Sequence, residues 1–256
     1  MPSAAILEVK GLTKRFGGLT AVSSLDFEVR EGEILGMIGP NGAGKSTTFN
    51  LIAGTYAATQ GEVRFAGEPI LGLPPHRIAA RGVMRTFQHN RPFGGMPVID
   101  NVLVGAHTRF ASGLWAVAGG RALREEAQRR KRAAELIEFV GLGELPHADV
   151  GTLSFGQGRL LEIARALAGE PRLLLLDEPA AGLTLAECER LAGIIRGIAA
   201  RGIAVLLIEH DMHFLLPLAH RVAVLNFGVK IADGLPEQIR NQPAVLEAYL
   251  GSHAAT

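Results

Sequence analysis

The chain has 256 residues, 48% apolar and 20% charged, enough to bury a sizeable core in one large domain or two small ones. Its 26 basic and 25 acidic side chains leave a net charge of +1, which argues against a polyanion binder that works by bulk charge and against an acidic, solvating chain. The single cysteine, Cys188, excludes an intramolecular disulfide, points to a reducing compartment and reads as a buried, inert thiol. Residues 1–10 lack the basic and apolar regions of a signal peptide, and no apolar run is long enough to span a bilayer. Work at a membrane would therefore require docking on other subunits.

Residues 6–9 and 25–30 alternate and predict strands, and 33–38 is a short apolar run ending at a Gly-rich turn. Residues 44–51 predict a helix, and 61–65 with Gly67 a short strand and turn. Helical spacing at Leu123, Ala127, Leu136, Ile137 and Val140 predicts a helical insertion within 102–145. The α/β alternation then resumes, with helices over 160–167 and 187–200 and apolar strands over 173–176 and 203–208. Residues 222–225 and 229–232 predict a hairpin, and 236–250 short helices. Strands alternating with helices, each strand ending in polar residues, predict an open, mostly parallel sheet with its site at the carboxyl edge.

Gly39, Pro40, Asn41, Gly42, Ala43, Gly44, Lys45 and Ser46 fit G-x-x-x-x-G-K-[ST] without a mismatch, between a predicted strand and a predicted helix. A polyphosphate must meet backbone N–H groups as it leaves water, which requires close wrapping at the glycines and a helix N-terminus behind them. Lys45 is placed to reach the β- and γ-phosphates and Ser46 to ligate Mg²⁺. Four leucines deliver Asp177 and Glu178 to a strand tip. Asp177 then suits Mg²⁺, and Glu178 suits the polarising of an attacking water. His210 ends the next apolar strand, where it could touch a γ-phosphate. Gln88 says nothing by itself.

Together with Leu153-Ser154-Phe155-Gly156-Gln157 about twenty residues before Asp177, these motifs stand in one order: Phe16, residues 39–47, Gln88, 154–157, Asp177-Glu178, His210. The chain thus resembles, over its whole length, the nucleotide-binding subunits of ATP-binding-cassette (ABC) transporters. The resemblance implies a P-loop NTPase α/β core with an antiparallel β patch, formed by 1–89 and 161–256, and an inserted helical subdomain at 90–160. It implies that Phe16 stacks on adenine, that Gly39 through Thr47 cradle ATP, and that Gln88 reaches the metal and the attacking water. It also implies a head-to-tail dimer in which Ser154, Gly156 and Gln157 of one subunit close on the γ-phosphate held by the other.

Residues 84–107, 177–183, 206–215 and 234–251 are similar to the ATPases of the branched-chain amino-acid importers, and 84–107 resembles the larger of the two ATPases such importers carry. That implies an ATP hydrolase on the cytoplasmic face of the cell membrane. Its partners would be two transmembrane permease subunits, a second related ATPase or a second copy of itself and, indirectly, an extracytoplasmic substrate-binding protein, with no nucleic acid. Urea or short-chain amide importers, lipopolysaccharide export and non-transport ABC ATPases share much of the pattern. Two positions depart from the usual motifs: Phe155 replaces a Gly of LSGGQ, and Thr184 stands where an Asp usually follows the acidic pair. The basic set around Arg124–Arg132 reads as a solvated helix face or a headgroup contact. Phe110, Leu114 and Trp115 read as subdomain core or a membrane-subunit contact, and 93–102 as the docking segment for the membrane subunits.

Overall fold

The computed structural model describes residues 5–86, 92–106 and 121–253; Gln88, Phe110, Leu114 and Trp115 lie outside them. The chain opens with β1 (Ala5–Phe16) and β2 (Leu19–Arg30), which pair antiparallel. Each runs well beyond the alternating stretch legible in sequence, because register shifts between Val9 and Arg15 break the period of two. A fully buried strand, β3 (Ile34–Ile38), feeds helix α1 (Lys45–Ile52). Strands β4 (Gln60–Phe65) and β5 (Glu68–Pro69), helix α2 (Pro75–Ala80) and strand β6 (Val83–Arg85) follow. β6 is three residues long, too short to show a pattern in sequence.

Helices α3 (Val98–Gly105), α4 (Arg121–Phe139) and α5 (Phe155–Ala168) come next. α5 starts five residues before the run over 160–167. Gly156 and Gly158 mask its periodicity, while a reciprocal cap between Ser154 and Gln157 starts the helix nonetheless. The rest is β7 (Leu173–Asp177), α6 (Leu185–Ala200), β8 (Ala204–Ile208), the short α7 (Met212–Leu215), the hairpin β9 (Arg221–Asn226) and β10 (Val229–Gly234), and helices α8 (Pro236–Arg240) and α9 (Pro243–His253).

Two sheets result. One is antiparallel, in the order β2-β1-β4-β5; the other runs β10-β9-β3-β8-β7-β6 and is parallel except for the β9–β10 hairpin at its edge. The apolar runs follow from burial on both faces. Leu173 and Leu175, with Leu35, Met37, Leu206 and Ile208, point into the core shared with α1 and the antiparallel sheet. Leu174 and Leu176, with Ile34, Ile38, Val205 and Leu207, point into the opposite core. That second core continues through Leu191, Ile195 and Ile198 of α6 to Val98, Val102, Leu136 and Ile137. Asn101, fully buried at the α3 end of it, spends its amide on Phe93 and Pro97. Among the described residues no helix is long and apolar enough to cross a membrane.

The parallel register places the carboxyl ends of β3, β8, β7 and β6 side by side, with Asp177 opposite Ile208. The segments that follow β3, β8 and β7 are residues 39–44, Glu209-His210 and Glu178. These are the positions at which an open parallel sheet presents a site.

Candidate functional site

The turn from β3 into α1 is a tight backbone wrap. Gly44 has φ +98°, and a Cβ there would lie 2.5 Å from the Ala21 carbonyl oxygen of β2, so only glycine fits. The Ala43 N–H donates to Pro40 O (3.1 Å), and the Gly228 N–H of the β9–β10 turn donates to Ala43 O (3.0 Å). Gly228 O in turn accepts the Ser23 N–H at 2.8 Å, so β2 and the hairpin brace the loop from the side. The Tyr249 hydroxyl of α9 faces the Gly39 backbone. Asn41 and Gly42 remain exposed at the mouth, with Ser46 and Thr47 half-buried on the first turn of α1.

Lys45 is buried. Its Nζ donates to the carbonyls of Gly39 (2.6 Å) and Pro40 (3.0 Å), which folds the side chain over the concavity. Burial pushes its pKa down, and the charges of Glu178 and Asp177 pull it back up. An anion entering the concavity would meet this ammonium, the loop N–H groups and the N-terminus of α1.

Asp177 is almost completely buried at the tip of β7. Its Oδ2 accepts from Arg85 at 2.8 Å, while its Oδ1 has no hydrogen-bond partner. Burial pushes its pKa up, and the Arg85 guanidinium opposes that. An orphaned buried carboxylate oxygen beside a basic loop suits a cation. Glu178 follows with φ +47°, a left-handed conformation unusual for a glutamate, and its N–H donates to Ile208 O at 2.9 Å. The ladder to β8 thus fixes the Glu178 backbone in a strained state of the kind found at functional positions.

His210 is exposed at the end of β8, its Nδ1 3.8 Å from Glu209 Oε2. Glu209 has no exposed surface; its Oε1 accepts the Ala180 N–H at 2.8 Å and its Oε2 has no hydrogen-bond partner. Phe16 stands 43% exposed at the end of β1, edge-on to Tyr56 (5.5 Å between centroids) with Lys14 Nζ 4.7 Å from its ring centre. It is an exposed aromatic rather than a core one, and a flat partner has access to it.

Ser154 caps α5. Its Oγ accepts the Gln157 N–H at 3.2 Å, and Gln157 Oε1 accepts the Ser154 N–H at 2.8 Å. The contacts of this element lead to α6 and the turn before it. A Cβ on Gly156 would collide with the Glu187 carboxylate, and Phe155 packs against Gly182 and under the Arg159 guanidinium. Thr184 caps α6 in the same reciprocal way with Glu187, whose Oε2 accepts from both Thr184 N (2.9 Å) and Thr184 Oγ1 (2.8 Å). Cys188 is free and half-buried rather than fully buried, and partial burial raises its thiol pKa.

The structure therefore brings Lys45, Asp177 and Glu178 close enough for their charges to interact, with Asp177 paired to Ile208 at the end of the strand that leads to His210. Sequence reading passed over Arg85, Asn50, Glu209 and Glu187. Arg85, Asn50 and Glu209 are held by partners 29 to 92 residues away, which nothing local announces; Glu187 is held by Thr184 in a local cap, a Thr-x-x-Glu pattern that the sequence does carry.

A P-loop on a parallel sheet, with an acidic pair at the tip of the next strand but one, defines a nucleotide-binding ATPase cassette. The chain matches the ABC transporter family over residues 22–181 and the branched-chain amino acid ATP-binding cassette transporter family over residues 229–255. It is 47% identical, over 97% of its length and 99% of the relative's, to the high-affinity branched-chain amino acid transport ATP-binding protein BraF of Pseudomonas aeruginosa. It is 42% identical, over the same shares, to LivG of Escherichia coli K12, which carries the same description. The ADP conformation of MJ1267, an ATP-binding cassette of an ABC transporter, superposes with a TM-score of 0.86 at 32% identity, covering 97% of this chain and all of that one. The chain belongs to the ATP-binding cassettes of ABC transporters.

Proposed function

We propose that the chain is the ATP-hydrolysing subunit of an importer for branched-chain amino acids. The observation that carries the substrate class is the end-to-end similarity to BraF and LivG, including the carboxyl-terminal segment over 229–255. The partners on this reading are two transmembrane permease subunits, a second ATPase (a related chain or a second copy) and, indirectly, an extracytoplasmic binding protein. The chain works at the cytoplasmic face of the membrane. It divides into an α/β core over 1–89 and 161–256 and a helical subdomain over 90–160, with α5 crossing the division.

Phosphate binding falls to residues 39–47: the loop N–H groups and Lys45 neutralise the β- and γ-phosphates, and Phe16 offers its exposed face to the adenine. Ser46 and the unpartnered Oδ1 of Asp177 suit Mg²⁺, with Gln88 completing the set. Bound there, Mg²⁺ supplies charge neutralisation across the phosphates. Glu178 accepts the proton of the attacking water, and His210 and Gln88 orient that water and the γ-phosphate. Ser154, Gly156 and Gln157, at the N-terminus of a capped helix, close on the γ-phosphate bound by the partner ATPase, so that ATP holds the two together and hydrolysis releases them.

The test is uptake of labelled leucine, isoleucine and valine in cells lacking this chain. Wild-type chain restores uptake and Glu178→Gln does not. Uptake that is equal with and without the chain overturns the substrate assignment.

A further inference from the structure

Arg85 ties α1, which carries Ser46, to Asp177 of β7, two of the residues assigned to Mg²⁺. It ends β6, three residues before Gln88. One terminal nitrogen, NH2, donates to Asp177 Oδ2 at 2.8 Å. The other, NH1, donates to Asn50 Oδ1 at 2.6 Å, one helical turn beyond Ser46 on α1. The guanidinium lies 5.9 Å from the ring centre of Phe49, which is fully buried. Arg85 itself is mostly covered, with 16% of its side chain exposed. A planar fork held at both prongs has one orientation, so it fixes the carboxylate it grips.

The geometry points to Arg85 as a positioning residue for the cation site. By occupying Oδ2, it leaves Oδ1 of Asp177 as the one oxygen facing a ligand, and it sets the spacing between α1 and β7 at which Ser46 and Asp177 act together. The inference rests on the Mg²⁺ assignment proposed above. Lysine could neutralise Asp177 but could not hold both prongs.

The full-length chain is titrated with Mg²⁺ at saturating ADP, and the rise in thermal midpoint beyond that given by ADP alone is recorded. Mn²⁺ binding in the presence of ADP, followed by electron paramagnetic resonance, gives the same quantity directly. In Arg85→Met the shift from ADP alone stays at the wild-type value, while the Mg²⁺ concentration for half the further rise increases about tenfold or more, as expected when the support of a metal ligand is removed. Arg85→Lys falls between the two. Asn50→Ala, which frees one prong and leaves the charge, shifts the titration in the same direction and serves if Arg85→Met does not fold. Titrations of Arg85→Lys and Asn50→Ala that coincide with wild type overturn the positioning role. A wild-type chain with no Mg²⁺ increment overturns the cation assignment instead.

Discussion

The buried Glu209 carboxylate accepts the backbone N–H of Ala180 at 2.8 Å, tying the strand tip that carries His210 to the turn that follows Glu178. Burial pushes its pKa from 4.5 up to about 7, partly offset by the Ala180 hydrogen bond and the neighbouring His210, with Glu178 adding to the rise. Below pH 4.5 the carboxyl is protonated in both folded and unfolded chains, and its contribution to stability is fully present. Between that pH and about 7 only the unfolded chain ionises, so stability drains away as pH rises.

Glu209→Gln keeps an acceptor for Ala180 and cannot ionise. Its thermal midpoint should therefore fall less than that of wild type from about pH 5 to about pH 8, a difference of up to about 3 kcal/mol in stability. Calorimetry across that range decides the point; parallel curves for the two proteins would sink it.

Glu178→Gln should bind ATP as wild type does and lose turnover by on the order of a hundredfold or more, the usual contribution of a general base. The strained φ of +47° is set by the ladder to Ile208, so the substitution leaves the backbone in place. Nucleotide affinity and steady-state hydrolysis, measured on the same preparation, separate binding from chemistry. Near-wild-type turnover would remove Glu178 from the mechanism.

Gly44→Ala should weaken nucleotide binding and destabilise the fold by about 1–3 kcal/mol, the range for a residue forced into an unfavourable backbone region. The added methyl meets a backbone carbonyl of β2, which has no rotamer with which to escape. Gly42→Ala is the control. It has positive φ as well, but open space around the Cβ. If Gly44→Ala costs no more than Gly42→Ala, β2 does not brace the loop.

Thr184 stands where an Asp is usual, and its role here is to cap α6. Thr184→Ala should cost about 1 kcal/mol, a fall of roughly 2–4 °C in thermal midpoint for a chain of this size. Thr184→Asp should also melt below wild type, since aspartate still accepts the Glu187 N–H but cannot donate to the Glu187 carboxylate as the hydroxyl does and repels it. Thermal melts of the two variants rank them, and an unchanged midpoint for Thr184→Ala would show that the cap contributes nothing.

Much of the site could be read without coordinates because its chemistry depends on near neighbours in the chain. The spacing from Gly39 to Ser46 is a backbone requirement of phosphate binding. The run of four leucines before Asp177 is what a strand buried on both faces must look like, and the two cores on either side of it bear that out. Reading by period alone fell short where the period was locally broken: at the register shifts of β1 and β2, at the glycines of α5, and in the three residues of β6.

The remaining features depend on side chains that meet across the fold. Arg85 and Asp177 are 92 residues apart, and Ala180 and Glu209 are 29 apart. Ala21 and Gly44 meet only because β2 passes the loop. Residue types and local spacing therefore picked out the loop and the two carboxylates whose charges the fold brings within reach of Lys45. Which oxygen of Asp177 stays unpartnered, which carboxylate loses its water and which glycine admits no methyl were decided by long-range packing, because desolvation and contact are properties of the assembled interior rather than of any stretch of chain.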